Sequence, residues 1–244
     1  MNRHKLNKEL LIGISPNSKL FKEYKDSLTS ISAIQWEASI GLILGDASLQ
    51  TQNGGKTYRL KFEWGNKQKF YVDHVFDLFD EWVISKPHKK TRISPKGNEI
   101  INWGFQTISH KAFNPLADLF LLALGSCLSD SRGREHKTKT VPDLLVKNHL
   151  TPRGLTYWFC DDGGRLDYNK NSKNQSIVLN TQSFTDREVI NMSQELGEKF
   201  ALNCEVRSNK GKKVIVIKSD SYPDFLKLVD PYIIPQMKYK LPKE

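Results

Sequence analysis

The sequence predicts an α+β fold built from two related halves, each running α-β-β-α-β-β-α with antiparallel sheets. Three observations predict it. Two apolar runs, residues 39–47 (SIGLILGDA) and 155–163 (LTYWFCDDG), carry a carboxylate near their end, Asp46 and Asp162. These carboxylates stand 116 residues apart, close to half of the 244-residue chain, which is the spacing of an internal duplication. Within each half the apolar residues switch between the two-residue period of strands and the longer period of helices.

The elements follow in order. Residues 1–30 are a basic lead-in, where Asn17, Ser18, Lys19 and Lys22 follow Pro16 and are placed to touch phosphates or to stay solvated. Ser30 or Ser32 can cap a helix that runs to Asp46. Strands are expected at 47–52 and 57–64, joined by Gln52-Asn53-Gly54-Gly55, a hairpin signal. On the second, Tyr58, Leu60, Phe62 and Trp64 alternate with Arg59, Lys61 and Glu63. Phe70, Val72, Val75, Phe76, Phe79 and Val83 give helical spacing over 67–83. Strands at 88–94 and 98–106 flank Pro95-Lys96-Gly97, and a helix at 110–124 closes the first half.

Residues 125–138 are polar and charged and read as a linker between domains at 1–124 and 139–244. In the second half Thr151 caps the motif helix, with Pro152 at its first position. Strands at 165–169 and 175–183 come next. Thr185 then opens a helix at 186–200 with Glu188 three residues on, a capping box. Strands 203–208 and 212–218 meet at Asn209-Lys210-Gly211, and a helix at 221–229 precedes the tail 230–244.

Composition narrows the function. A net charge of +10 and a pI near 9.4 point to a polyanionic partner, most simply nucleic acid. Cys127, Cys160 and Cys204 have no CxxC spacing and are odd in number, as expected of reduced thiols in an intracellular protein. The histidines lack zinc-ligand spacing. The longest apolar run, Leu116 to Leu124, contains Asp118 and is too short to span a membrane, so no membrane association is expected. The opening residues are basic and polar and lack a secretory pattern. They have some transit-peptide character, against which Glu9 weighs.

Each motif puts its carboxylate in line with an apolar helix face. Leu42 and Ile43 lie four and three residues before Asp46, and Trp158 and Phe159 hold the same offsets from Asp162. A helix C-terminus already carries partial negative charge, so a carboxylate there is poorly placed unless a cation offsets it. One such residue is commonly just a solvated Asp before a turn. Two copies in matching positions favour a cation site.

Both runs resemble the LAGLIDADG motif, and the chain is similar over nearly its full length to the monomeric, two-repeat branch of the LAGLIDADG homing endonucleases. Residues 41–47, 168–172, 176–184 and 234–242 carry the likeness. The resemblance implies two motif helices packed side by side between the repeats. It implies Asp46 and Asp162, with the backbone carbonyls of Gly45 and Asp161, as ligands of Mg²⁺. Asp161 is the alternative second carboxylate, although it falls off the shared apolar face. Lys139, three residues before Pro142, and Lys240, two before Pro242, match the family's basic residues near each active centre. It further implies a monomer that cuts both strands of a long asymmetric site in double-stranded DNA, leaving 3′ overhangs. A mitochondrial location follows from the same likeness. The chain departs from the pattern where Gly41 and Gly45 of the first motif meet Tyr157 and Asp161 at the matching places of the second. The helix interface must therefore be asymmetric.

With that fold, two sheets side by side form a curved basic saddle suited to a duplex, and antiparallel ribbons can read base edges in the major groove. The candidate contacts are Asn17 and Lys19 in the lead-in and Gln50, Arg59, Lys61, His88, Lys90, Arg92 and Asn102 in the first repeat. In the second they are Arg165, Asp167, Asn169, Lys170, Gln175, Arg207, Lys210 and Lys212. For any one alone, a solvated strand face stays open. Two readings rival the endonuclease: an RNA maturase that assists splicing, and a DNA-binding relative without catalysis. The presence of both motif acids favours the enzyme.

Overall fold

The computed structural model describes residues 8–121, 128–129, 135–136, 139–169 and 172–242. The chain folds as two compact units, residues 1–36 with 46–115, and residues 37–45 with 116–244. The first motif helix starts in one unit and continues into the other.

The first unit opens with helix α1 (Lys19–Ser27), which the lead-in did not announce because its basic residues mask one apolar stripe. Ser18 caps it, and Tyr24 is buried with its hydroxyl donating to the Glu81 carbonyl at 2.6 Å. Helix α2 (Ala33–Leu44) follows. Ser32 is its cap: the hydroxyl accepts from Gln35 N at 3.2 Å, while Gln35 Oε1 accepts from Ser32 N at 2.9 Å. Gln35 is buried and also donates to Leu78 O and Glu81 Oε1, tying the start of α2 to the core beneath.

Strands β1 (Ser48–Gln50), β2 (Arg59–Gly65), β3 (His88–Ile93) and β4 (Glu99–Gln106) form one antiparallel sheet in the order β1-β2-β4-β3. The alternation on β2 is as expected: Leu60, Phe62 and Trp64 are buried while Arg59, Lys61 and Glu63 stay half-buried. Phe62 meets Phe105 and Phe79 with ring centroids 4.8 and 5.5 Å apart, and Trp64 meets Tyr71 edge-on at 5.0 Å. The long helix expected at 67–83 is instead α3 (Lys69–Leu78) between 3₁₀ turns at Asn66–Gln68 and Asp80–Trp82. Helix α4 (Asn114–Leu121) likewise follows a 3₁₀ turn.

The linker expected over 125–138 lies outside the described residues except for strands β5 (Leu128–Ser129) and β6 (Glu135–His136), which pair antiparallel. In the second unit a short helix α5 (Leu145–His149) precedes α6 (Pro152–Asp162), where Thr151 accepts from Gly154 N and Pro152 takes the first turn. Strands β7 (Gly163–Arg165), β8 (Ile177–Leu179), β9 (Cys204–Asn209) and β10 (Lys212–Ile217) repeat the first topology in the order β7-β8-β10-β9. The ladder at 165–169 and 175–183 is shorter than expected. Asp167 and Asn174 side chains accept from nearby backbone amides, and these local bonds replace strand pairing. Helix α7 (Asp186–Phe200) carries the full Thr185–Glu188 capping box, and α8 (Tyr222–Val229) packs Phe225 against Phe159 with centroids 5.3 Å apart. The β9–β10 turn has positive φ at Lys210 and Gly211, the geometry of a two-residue hairpin. Among the described residues no helix is long and apolar enough to cross a membrane.

Candidate active site and nucleic-acid interface

The later part of α2 and helix α6 approach at backbone distance within the second unit. A methyl group on Gly41 would lie 1.9 Å from the Gly154 carbonyl oxygen and 2.9 Å from Trp158 N. One on Gly154 would lie 2.9 Å from Glu37 O. The contact is asymmetric, as the two motifs required. Gly41 opposes Gly154, and Gly45 opposes the Asp161 side chain, whose Cβ and Oδ2 lie 2.5 Å from where a Gly45 methyl would be. Asp161 is therefore buried in the helix contact, whereas Asp162, the last residue of α6, is half-buried and Asp46 is exposed. Beside the crossing, Arg153 Nε donates to Glu37 at 3.1 Å and stacks over the Tyr232 ring.

A lysine reaches each motif end. Lys139 Nζ donates to Ile43 O at 2.7 Å and Gly45 O at 3.0 Å, and its charge lies 5.1 Å from the Phe184 ring. Lys240 Nζ donates to Cys160 O at 2.5 Å and Asp161 O at 2.9 Å. Both carbonyls that precede the motif acids thus accept from an ammonium, which offsets the negative end of each helix. Asp162 is fixed by Asn180, whose N and Nδ2 donate to its carbonyl at 2.9 and 2.8 Å. Burial pushes the Cys160 thiol well above its usual range, so it stays protonated beside the site.

The candidate contact residues fall into distinct settings. Gln50 and Arg59 face each other across β1 and β2, joined by a 3.2 Å hydrogen bond. Lys61 is half-buried on β2, and His88 and Arg92 are exposed on the edge strand β3. Lys90 and Asn102 both bind Glu63, at 2.5 and 3.0 Å, and hold its carboxyl below the usual range, Asn102 most. Arg207 pairs with Glu205, Lys210 sits in the β9–β10 turn and Lys212 is exposed. Asn17 and Lys19 are exposed at the start of α1. Asp167 organises its own loop, held below the usual carboxylate range by hydrogen bonds from Ser172 and the Asn169 amide. Gln175 is anchored through its backbone to Ser219. Lys170 lies outside the described residues. Sequence reasoning missed Gly154, Glu63 and Phe184. Gly154 had a signal, a glycine early in a motif helix, but the others gain meaning only from residues far along the chain.

Two matching sheets, two motif helices meeting through glycines and an acid-and-lysine pair at each motif end define a two-repeat fold of one class. The chain belongs to the LAGLIDADG DNA endonuclease family, whose sequence model matches residues 36–225. It is 45% identical over 241 residues to the probable intron-encoded endonuclease 1 of Wickerhamomyces canadensis, covering 99% of this chain and 98% of that one. The homing endonuclease I-WcaI, solved bound to its DNA recognition sequence, superposes with a TM-score of 0.87 at 44% identity, covering 97% and 98% of the two chains. The cytochrome b mRNA maturase bI2 of Saccharomyces cerevisiae is 28% identical over 209 residues, covering 82% of this chain and 45% of the maturase.

Proposed function

We propose that the protein is a site-specific endonuclease of intron homing that binds a long, asymmetric DNA duplex as a monomer and hydrolyses both strands. It leaves 3′ overhangs and uses Mg²⁺. The observation that carries this reading is the repeated end of the motif helices: an acid, and a lysine on the carbonyl just before it, occur at both. The likeness to a cytochrome b mRNA maturase supports a mitochondrial location.

The donors suit a hard divalent cation. Asp46 with the Gly45 carbonyl, and Asp162 with the Asp161 carbonyl, offer oxygen only, the ligand type Mg²⁺ takes. Among the described residues no cluster of three or more His, Cys, Asp or Glu forms a cage by itself, so phosphate oxygens and water would have to supply the remaining ligands. When bound, the cation would polarise the scissile phosphate and lower the pKa of water. The chain's own residues hold the acids and place positive charge. Asn180 fixes the end of α6, and Lys139 and Lys240 each set an ammonium beside one motif acid, where it stabilises negative charge developing on the phosphate. Arg and Lys on the strands supply phosphate contacts and bidentate readout.

Incubation of a supercoiled plasmid carrying the gene's own intron-insertion sequence, with Mg²⁺, should give linear product. Intact plasmid under those conditions would overturn the reading. The similarity to a maturase favours one second reading, RNA splicing assistance. Stimulated splicing of the host intron without DNA cleavage would establish it instead.

A further inference from the structure

We infer that Tyr168 is a positioning residue for Arg165: its ring sets the plane of the guanidinium so that the outer edge grips the two major-groove acceptors of a guanine. The inference rests on the endonuclease reading above and adds a specificity determinant to it.

Five observations carry it. Tyr168 is a large aromatic left 64% exposed, beside the strand that leaves the second motif acid. The Arg165 guanidinium carbon lies 5.0 Å from the Tyr168 ring centroid, the distance of a cation–π stack. The Tyr168 hydroxyl folds back over Gly164, where a methyl group would meet it at 2.5 Å, so glycine leaves room for this ring pose. Arg165 Nε is buried with no hydrogen-bond partner. That leaves the two terminal nitrogens as the donors the guanidinium can offer a ligand. A polar hollow of about 280 Å³ is lined by Arg165, Tyr168, Asn169, Ser172 and Asn174 together with Asp167 and Pro242.

The physics favours readout over simple phosphate attraction. A guanidinium is planar, and its value over lysine lies in two parallel N–H bonds at fixed spacing. Guanine O6 and N7 match that spacing. A long arginine otherwise loses rotamer freedom when it makes such a pair, and a stack formed before DNA arrives removes part of that cost. Phosphate attraction needs no fixed plane.

The test compares Arg165→Ala, Tyr168→Leu and Tyr168→Phe in full-length protein. Cleavage is measured on a panel of targets with every base pair substituted in turn. Arg165→Ala should lose about tenfold or more of its discrimination at one G·C pair. Tyr168→Leu should lose discrimination at that same pair, Tyr168→Phe should keep it, and the double variant Arg165→Ala/Tyr168→Leu should look like Arg165→Ala alone. Without DNA, the Arg165 Nε–H resonance should move on Tyr168→Leu and stay close to the parent in Tyr168→Phe, as loss of ring stacking requires. An unchanged profile in Tyr168→Leu, or a loss at a different pair, overturns the inference while leaving the endonuclease reading standing. A parent protein that cuts no duplex overturns both.

Discussion

Gly41 has no room for a methyl group, because the Gly154 carbonyl occupies the space a Cβ would take. Backbone cannot yield as a flexible side chain can, so Gly41→Ala should destabilise the protein by roughly 3 kcal/mol, the upper end for overpacking. Gly65, where a Cβ would meet nothing within 4 Å, supplies the control: Gly65→Ala should change stability by less than about 1 kcal/mol. Urea unfolding midpoints decide the comparison, and equal shifts would show that the helix contact is looser than its geometry. The lysines fail in another way. Each holds the carbonyl preceding one motif acid, so Lys139→Met or Lys240→Met should slow one strand more than the other and accumulate nicked plasmid. Asp46→Asn or Asp162→Asn should abolish cutting of both strands while leaving DNA binding intact. Equal loss of both cuts in both lysine variants, with no nicked product, would remove the one-lysine-per-motif assignment. The close approach at Gly41 and Gly45 was legible because the first motif keeps small residues there, and Asp46 and Asp162 drew notice because an acid ends both motifs. Gly154 was not, since its role depends on which residue faces it. Asp161 was read as lying off the apolar face, yet Gly45 opposite makes space for it to be buried.

At the scale of elements, caps and hairpins were the most legible features, since they depend on neighbours in sequence. The Thr185 box forms as read, but the second Glu188 oxygen does a job no local pattern announces: Oε1 accepts from Val141 N at 2.7 Å, two residues from Lys139. Thr185→Ala should therefore cost about 1 kcal/mol, an ordinary lost cap. Glu188→Ala should cost more, about 2 kcal/mol, because it also strips a part-buried amide of its partner. It should slow cleavage as well, by loosening the segment that carries Lys139. A Glu188→Ala variant no less stable than Thr185→Ala would contradict this. The sheet offers a test by pH. Asn102 and Lys90 depress the folded pKa of Glu63, so its contribution is complete above the unfolded glutamate value, about 4.3, and is lost as pH falls through the lower folded one. The stability gap between parent and Glu63→Gln should shrink as pH drops below the ordinary carboxylate range. A constant gap would show that the pair contributes nothing to folding. Strands β7 and β8 are shorter than the expected 165–169 and 175–183 for a related reason: Asp167 and Asn174 fold the backbone locally.

For the whole molecule, the repeated strand order in the two sheets follows from the duplicated pattern, and the charge follows from composition. Composition does not say which cations are available to DNA. Lys90 is engaged with Glu63, and Arg207 with Glu205. Arg92 on β3 and Lys212 on β10 are exposed, one in each sheet. If phosphate contacts dominate affinity, log K should fall linearly with log salt by ~0.9 for each phosphate neutralised on duplex DNA. Arg92→Gln should lower that slope by about one if Arg92 touches a phosphate, as should Lys212→Gln. Residues on different sheets release separate counterions, so the double variant should lower the slope by about two. A base contact behaves differently: it changes affinity for one sequence while leaving the slope on nonspecific DNA nearly unmoved. Titrations on target and scrambled duplexes at several salt concentrations distinguish these cases. An affinity for target that barely changes from low to high salt would refute phosphate-dominated binding, whatever the net charge of +10 suggests.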